Sequence, residues 1–352
     1  MASNLLRLAG VCRSLSLVAA LSLGCDGRPA SDASVEPGPG GSEPTLLTEA
    51  PAASEPEPVC KARTPRGGPL LIPDGVEWLI HVAPAELVHS QLWVSFAPAL
   101  EANEIFANIQ TTLDLCGVGL GAIEHVLLGM RTSEDSSGAL VITGPGVGRP
   151  ELAACVVANT EALSGQLDGL PASPTPLPDD AQVQTLALGD GDTMYLLDPD
   201  MLVVSGASFG PEIVALSRCQ GFPAIEHGLA ELVRRVDTGA PLWLAGQLPA
   251  DAARDFETAL NLEPGSIRDL IVSARVENGL DIGARLGTAS PHFASTAQSM
   301  IESFVPMLRG LAPPSLIPAL DRIEISTLGA DVTIRAALSD TELAELGAMI
   351  PP

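Results

Sequence analysis

Two stretches decide the fold: Trp78-Leu79-Ile80-His81-Val82 followed by Pro84-Ala85-Glu86, and Leu242-Trp243-Leu244-Ala245-Gly246 followed by Pro249-Ala250-Asp251. Each reads as a short apolar strand that runs into a helix started by proline, because proline is pre-set for the first helical turn and lacks only an N–H the helix does not need there. The parallel continues outward. Ile123-Glu124-His125-Val126-Leu127-Leu128 answers Ile267-Arg268-Asp269-Leu270-Ile271-Val272, and Gly138-Ala139-Leu140-Val141-Ile142 answers Gly279-Leu280-Asp281-Ile282-Gly283. A helix then follows in both halves, from about Glu151 and from about His292. Alternation at Val183, Thr185, Ala187 and at Ile323, Ile325, Thr327 leads through the turns Gly189-Asp190-Gly191-Asp192 and Gly329-Ala330-Asp331 into another strand.

Strands joined by only a few turn residues pair antiparallel, since a parallel crossover needs about a dozen. The expectation is therefore an α+β protein: two diverged repeats, 59–239 and 240–352, of largely antiparallel sheet with helices packed on one face. A further strand at Met201 to Ser205 belongs to the first repeat only. One continuous sheet and two facing lobes both satisfy this pattern.

Ahead of the repeats, residues 1–24 read as a signal peptide. Arg7 and Arg13 precede the apolar run Leu15 to Leu23, which ends at small residues and is too short to span a bilayer, a task that takes about 20 residues. Leu21-Ser22-Leu23-Gly24-Cys25 resembles the lipobox of bacterial lipoproteins, with Ser22 and Leu23 exchanged relative to the usual order. Residues 25–58 form a tether: from Asp26 to Pro58 there are seven prolines and seven acids against one arginine. Such a composition buries too little apolar surface to offset its ordering entropy, and it stretches to a reach on the order of 100 Å at about 3.1 Å per residue. Signal, cysteine and Pro/Glu-rich tether together resemble uncharacterised bacterial lipoproteins of the kind common in myxobacterial-type genomes. The resemblance implies attachment to the inner or outer membrane through a lipid on Cys25. Cleavage by an ordinary signal peptidase, which Ser22 and Gly24 also satisfy, implies secretion instead.

The cysteines agree with acylation. Cys12 leaves with the signal, so the mature chain holds five, an odd number in an oxidising compartment. Lipidation of Cys25 leaves four, which allow three connectivities; Cys116 with Cys155 and Cys60 with Cys219 is the pairing preferred. No Cys-x-x-Cys occurs, so no zinc site is expected.

The net charge of -25 would repel nucleic acid, and that partner class is excluded. Aromatics are 3% of the chain, too few for stacking platforms that hold sugars or single strands. Two stretches imitate chemistry. Gly206-Ala207-Ser208-Phe209-Gly210 fits the Gly-x-Ser-x-Gly turn of serine hydrolases, with His227 and His292 downstream and Asp255 or Asp281 as an orienting acid, which ahead of His292 gives the required order. That elbow belongs to a parallel sheet, however, and Ser208 reads better as the cap of a helix starting near Pro211. Asp190, Asp192, Asp198 and Asp200 sit in two turns whose oxygens could gather around Ca²⁺, although Asp and Gly are also what tight turns need. The glycine runs Gly117 to Gly121 and Gly144 to Gly148 complete no phosphate-binding fingerprint. No cofactor is expected. The sequence points to a lipid-anchored envelope protein that binds an unidentified protein or small molecule, with a secreted serine hydrolase using Ser208 as the alternative.

Overall fold

β1 (Trp78–Val82) pairs antiparallel on both sides, with β2 (His125–Met130) and with β8 (Leu242–Gln247), so the two stretches that open the halves lie against each other. Ile80 faces Leu244 at the middle of that ladder. The computed structural model describes residues 71–350 apart from 132–137, 165–174, 178–179, 189–191 and 207. From the β1–β8 seam the sheet grows outward in both directions. On one side come β2, β3 (Gly138–Thr143), β7 (Met201–Ser205), β6 (Thr193–Asp198), β5 (Asp180–Ala187) and β4 (Thr175–Leu177). On the other come β9 (Ile267–Arg275), β10 (Leu280–Thr288), β12 (Asp331–Leu338) and β11 (Glu324–Leu328). The result is an α+β protein built on a single 12-stranded sheet, antiparallel at every described pairing. The halves join through a hydrogen-bonded ladder rather than across a cleft.

Helices lie between the strands: α1 (Pro84–Leu87), α2 (Gln91–Glu101) and α3 (Glu104–Leu115) after β1, α4 (Pro150–Ser164) after β3, and α5 (Gly210–Ser217) and α6 (Ala230–Val233) after β7. The second half adds α7 (Ala250–Ala259), α8 (Pro291–Leu311), α9 (Ile317–Asp321) and the C-terminal α10 (Asp340–Ala348). Serine side chains start three of them: Ser90, Ser290 and Ser339 each accept a backbone N–H from the first turn, the last within a full capping box with Glu342.

These helices occupy both faces of the sheet, which corrects the one-face expectation. Leu79, Leu127, Val141, Val203 and Ile271 pack with Phe209, Ile213 and Leu229 on one face. Their strand neighbours Leu140, Ile142, Leu202 and Val204 pack with Ala153 and Val157 of α4 on the other. Leu286 and Val332 meet Ala294 and Ala297 of α8 in a third cluster. The cause is visible in β7, where Met-Leu-Val-Val-Ser is buried at every position: an unbroken apolar run has two faces to cover. On β9, β10 and β12 the face that carries Ile271 instead presents Ser273, Gly283, Arg285, Thr333 and Arg335, and no helix needs to cover it.

Candidate functional site

The turn that resembles a hydrolase elbow leads from β7 into α5. β7 is antiparallel to both its neighbours, β3 and β6, so the strand, turn and helix follow in order but the parallel sheet that carries that motif is missing. Ser208 is exposed in a turn; Phe209, not Ser208, is the N-cap of α5, and no side chain caps that helix. The motif's last glycine has a packing reason, because a Cβ on Gly210 would run into the Tyr195 hydroxyl. His227 does find a carboxylate, but it is Asp74, whose Oδ2 lies 2.7 Å from Nδ1, rather than Asp255 or Asp281. Asp74 also accepts the Gly228 N–H at 3.1 Å. Burial raises the Asp74 carboxyl, yet hydrogen bonds from Gly75, His227 and Gly228 outweigh this and hold it below the usual carboxylate range. The pair belongs to a clamp that fastens the start of the domain: Ala224 N–H donates to Ile72, Asp74 N–H donates to Phe222, and Arg131 donates to the carbonyls of Asp74 and Gly75 while lying 4.2 Å over the Phe209 ring. His292 and Asp255 lie on separate helices, α8 and α7, and Asp281 lies on β10.

Of the turn aspartates, Asp190 lies outside the described residues. Asp192 is buried just ahead of β6, and Asp198 ends that strand, so the two turns stand roughly 20 Å apart at about 3.3 Å per residue. Asp198 accepts the Asp200 N–H at 3.0 Å, and Asp200 accepts the Gly146 N–H at 2.7 Å. These oxygens tie the β6–β7 hairpin to the Gly144 to Gly148 loop, where a Cβ on Gly148 would run into the carbonyls of Asp198 and Met201. The glycine run thus serves close packing. Among the described residues no group of three or more His, Cys, Asp or Glu is placed to hold a metal ion.

Cys116 and Cys155 form a disulfide that fastens the end of α3 to α4, as the preferred pairing has it. Cys219 is disulfide-bonded as well, and Cys60, its expected partner, lies outside the described residues.

Two features were not singled out from sequence. The first is a polar spot at the centre of the sheet. His81 on β1 is buried, stacks on Trp243 of β8 with ring centroids 5.2 Å apart, and places Nε2 3.2 Å from Nδ1 of His125 on β2. Burial, reinforced by the neighbouring His125, pushes the His81 pKa down to about 4. Its Nδ1 and the Thr143 hydroxyl on β3 are both buried without a hydrogen-bond partner among the described residues. The strand register explains the grouping: His81 faces Leu127, which puts His125 one diagonal step away, and His125 faces Thr143. Two nitrogens and a hydroxyl are fewer ligands than a structural metal site uses.

The second is a groove of about 380 Å³ where α10 crosses α2. Its lining includes Val94, Pro98 and Ile350 together with small residues such as Ser95, Ala99 and Ala348. No residue of α2 is buried, and Val94 is 63% exposed. Pro98 stands inside α2 and has no N–H for the Val94 carbonyl four residues back, which leaves an acceptor at the groove wall. No lining residue is charged, in a chain whose net charge is -25. Patterning along α2 alone could not reveal this, because the second wall comes from the far end of the chain.

No family model and no curated protein matches the chain. Among solved structures it is similar to two crystal forms of TP0453, each at 13% identity and a TM-score of 0.45, covering 80% of this chain and 97% or 96% of the other. A likeness of that size carries no argument about fold or function. Among the described residues no helix is long and apolar enough to cross a membrane.

Proposed function

We propose that this is an exported lipoprotein, acylated at Cys25 and held in the cell envelope, whose α+β domain binds a protein partner rather than catalysing a reaction. The address rests on the signal, the lipobox-like segment and the tether, and it is supported by the Cys116–Cys155 disulfide, since such bonds persist in oxidising compartments. The binding reading is carried by the α2–α10 groove, which is largely apolar, uncharged and lined in good part by small residues. Small lining residues let another helix approach closely, and an apolar helix face offered by the partner is the occupant that fits.

A photo-crosslinking side chain at Val94 of the full-length protein, in its own membranes, is expected to give one discrete adduct, and the same side chain at exposed Arg254 none. A charged variant of the groove, Val94→Asp, should abolish capture by a crosslinker placed at Ala348 while leaving the fold intact, since Val94 is exposed. Equal labelling from Val94 and Arg254 would remove the groove from the account.

The same proposal takes the two halves as diverged copies of one unit. Supporting it, β1, β2, β3, β7 and β6 lie in the same order from the seam as β8, β9, β10, β12 and β11. This aligns the β6–β7 hairpin with the β11–β12 hairpin. The strands particular to the first half are then β4 and β5, not Met201 to Ser205.

A further inference from the structure

The two edges of the sheet are built differently. β4 is three residues long, contains Pro176, which has no N–H to offer, and has an irregular register beside that proline. Short length, proline and irregularity are the usual protections against strand addition. β11 has none of them: it is five residues, Glu-Ile-Ser-Thr-Leu, regularly paired with β12 along its length and exposed at four positions.

The hairpin fixes which of its backbone groups are open. Leu328 and Asp331 close a two-residue loop, so they exchange hydrogen bonds with each other, and by alternation Ser326 and Glu324 also bond to β12. Ile325 and Thr327 therefore direct N–H and C=O away from the sheet. The Gln298 side-chain amide donates to the Ile325 carbonyl at 3.5 Å.

We infer that β11 is a self-pairing edge, through which two copies of the chain join antiparallel about Ser326 and continue the sheet across a two-fold axis. This deepens the binding-protein reading by naming a second copy as one partner. In that register Ser326 faces the second copy's Ser326, and Ile325 faces the second copy's Thr327, so each of the four outward N–H groups finds a C=O on the other copy, the Ile325 carbonyls using the lone pair that the long Gln298 contact leaves. Side chains agree on both faces. On one, Ile334 and Ile325, already part of the α8 cluster, continue into Thr327 and Val332 of the second copy. On the other, Thr333 and Ser326 meet their own equivalents in a row of hydroxyls, a favourable cross-strand set. Glu324 falls opposite Leu328, which is 67% exposed, so the register sets no like charges face to face. A five-residue strand pair lies at the low end of specific interface sizes, so the association is weak in solution and gains from anchoring both copies in one membrane.

The test uses the mature chain carrying Cys25→Ser, followed by sedimentation from micromolar to millimolar concentration. A concentration-dependent dimer is expected. Thr327→Pro removes an outward N–H and no bond within the sheet, so its circular dichroism should match the parent while the dimer is lost. Adding Ser326→Cys should give rapid disulfide-linked dimers, because the two-fold brings those residues together, whereas Glu324→Cys, about 13 Å from its equivalent at about 3.3 Å per residue, should not. A monomer at every concentration, a Thr327→Pro variant that still dimerises, or equal cross-linking from both cysteines overturns the inference. Capture at the α2–α10 groove is read independently in the Thr327→Pro background, so failure of self-pairing and failure of the binding reading give different results.

Discussion

Lowering the pH from 6.5 to 5 is expected to destabilise the protein steeply, and His81→Phe is expected to flatten that response. The unfolded His81 titrates near 6.5 and the folded one at about 4. A histidine with a depressed folded pKa binds a proton more readily when unfolded. Its neutral form is therefore free of penalty above 6.5, and stability is lost as pH falls from 6.5 towards 4 and levels below. The full loss is about 3 kcal/mol at 1.36 kcal/mol per unit. His81 is only 9% exposed, so solvent screening does little to reduce it. Urea unfolding at several pH values checks this, and the interval from 6.5 to 5 is the informative one. Asp74 and Glu342, whose folded values are lowered, titrate below it, while Asp269, raised by burial, would act in the opposite sense to His81. Phe keeps a ring against Trp243 and removes the titration. A parent stability that stays level across that interval would mean that His81 is better solvated than its position between β8 and β2 implies.

Removing the α3–α4 bridge should have an effect of similar or larger size. Cys116 and Cys155 are 39 residues apart, and closing a loop of that length lowers the entropy of the unfolded chain by an amount worth about 4 kcal/mol at 25 °C. The double variant Cys116→Ala, Cys155→Ala is expected to unfold at much lower urea than the parent. The parent treated with a thiol reductant should move towards the variant. If both unfold together with the oxidised protein, the bond is not a structural staple and its support for an oxidising address weakens. Asn159, which donates to the Cys155 carbonyl at 2.9 Å, keeps α4 hydrogen-bonded locally in either case.

Much of the architecture was legible because it is written in short-range patterns. Strand runs separated by tight turns gave antiparallel pairing, and the likeness of 78–82 to 242–246 anticipated the two strands that meet at the seam. The one-face expectation fails at β7, whose residues are apolar on both sides. Val203 and Val204 are adjacent and both apolar, so they had to be covered from opposite sides, by α5 and by α4. Ser208 resembled a helix cap by residue type, but α5 starts a residue later, with its turn set by packing of Phe209 and Gly210. The candidate sites were far less legible, since each depends on contacts between distant segments. Asp74 meets His227 across 153 residues, and His81 meets His125 across 44 through strand register that no local pattern encodes. The groove needs α2 and α10, near opposite ends of the described chain.

The central claim, a binding domain held outside the cytoplasm by a lipid, is tested most directly by intact-mass spectrometry of the protein extracted from membranes. The expected product is a chain whose first residue is Cys25 and whose mass exceeds that of the unmodified polypeptide by fatty-acyl and glyceryl groups. A soluble, unmodified chain that begins at Cys25 or further along would contradict it.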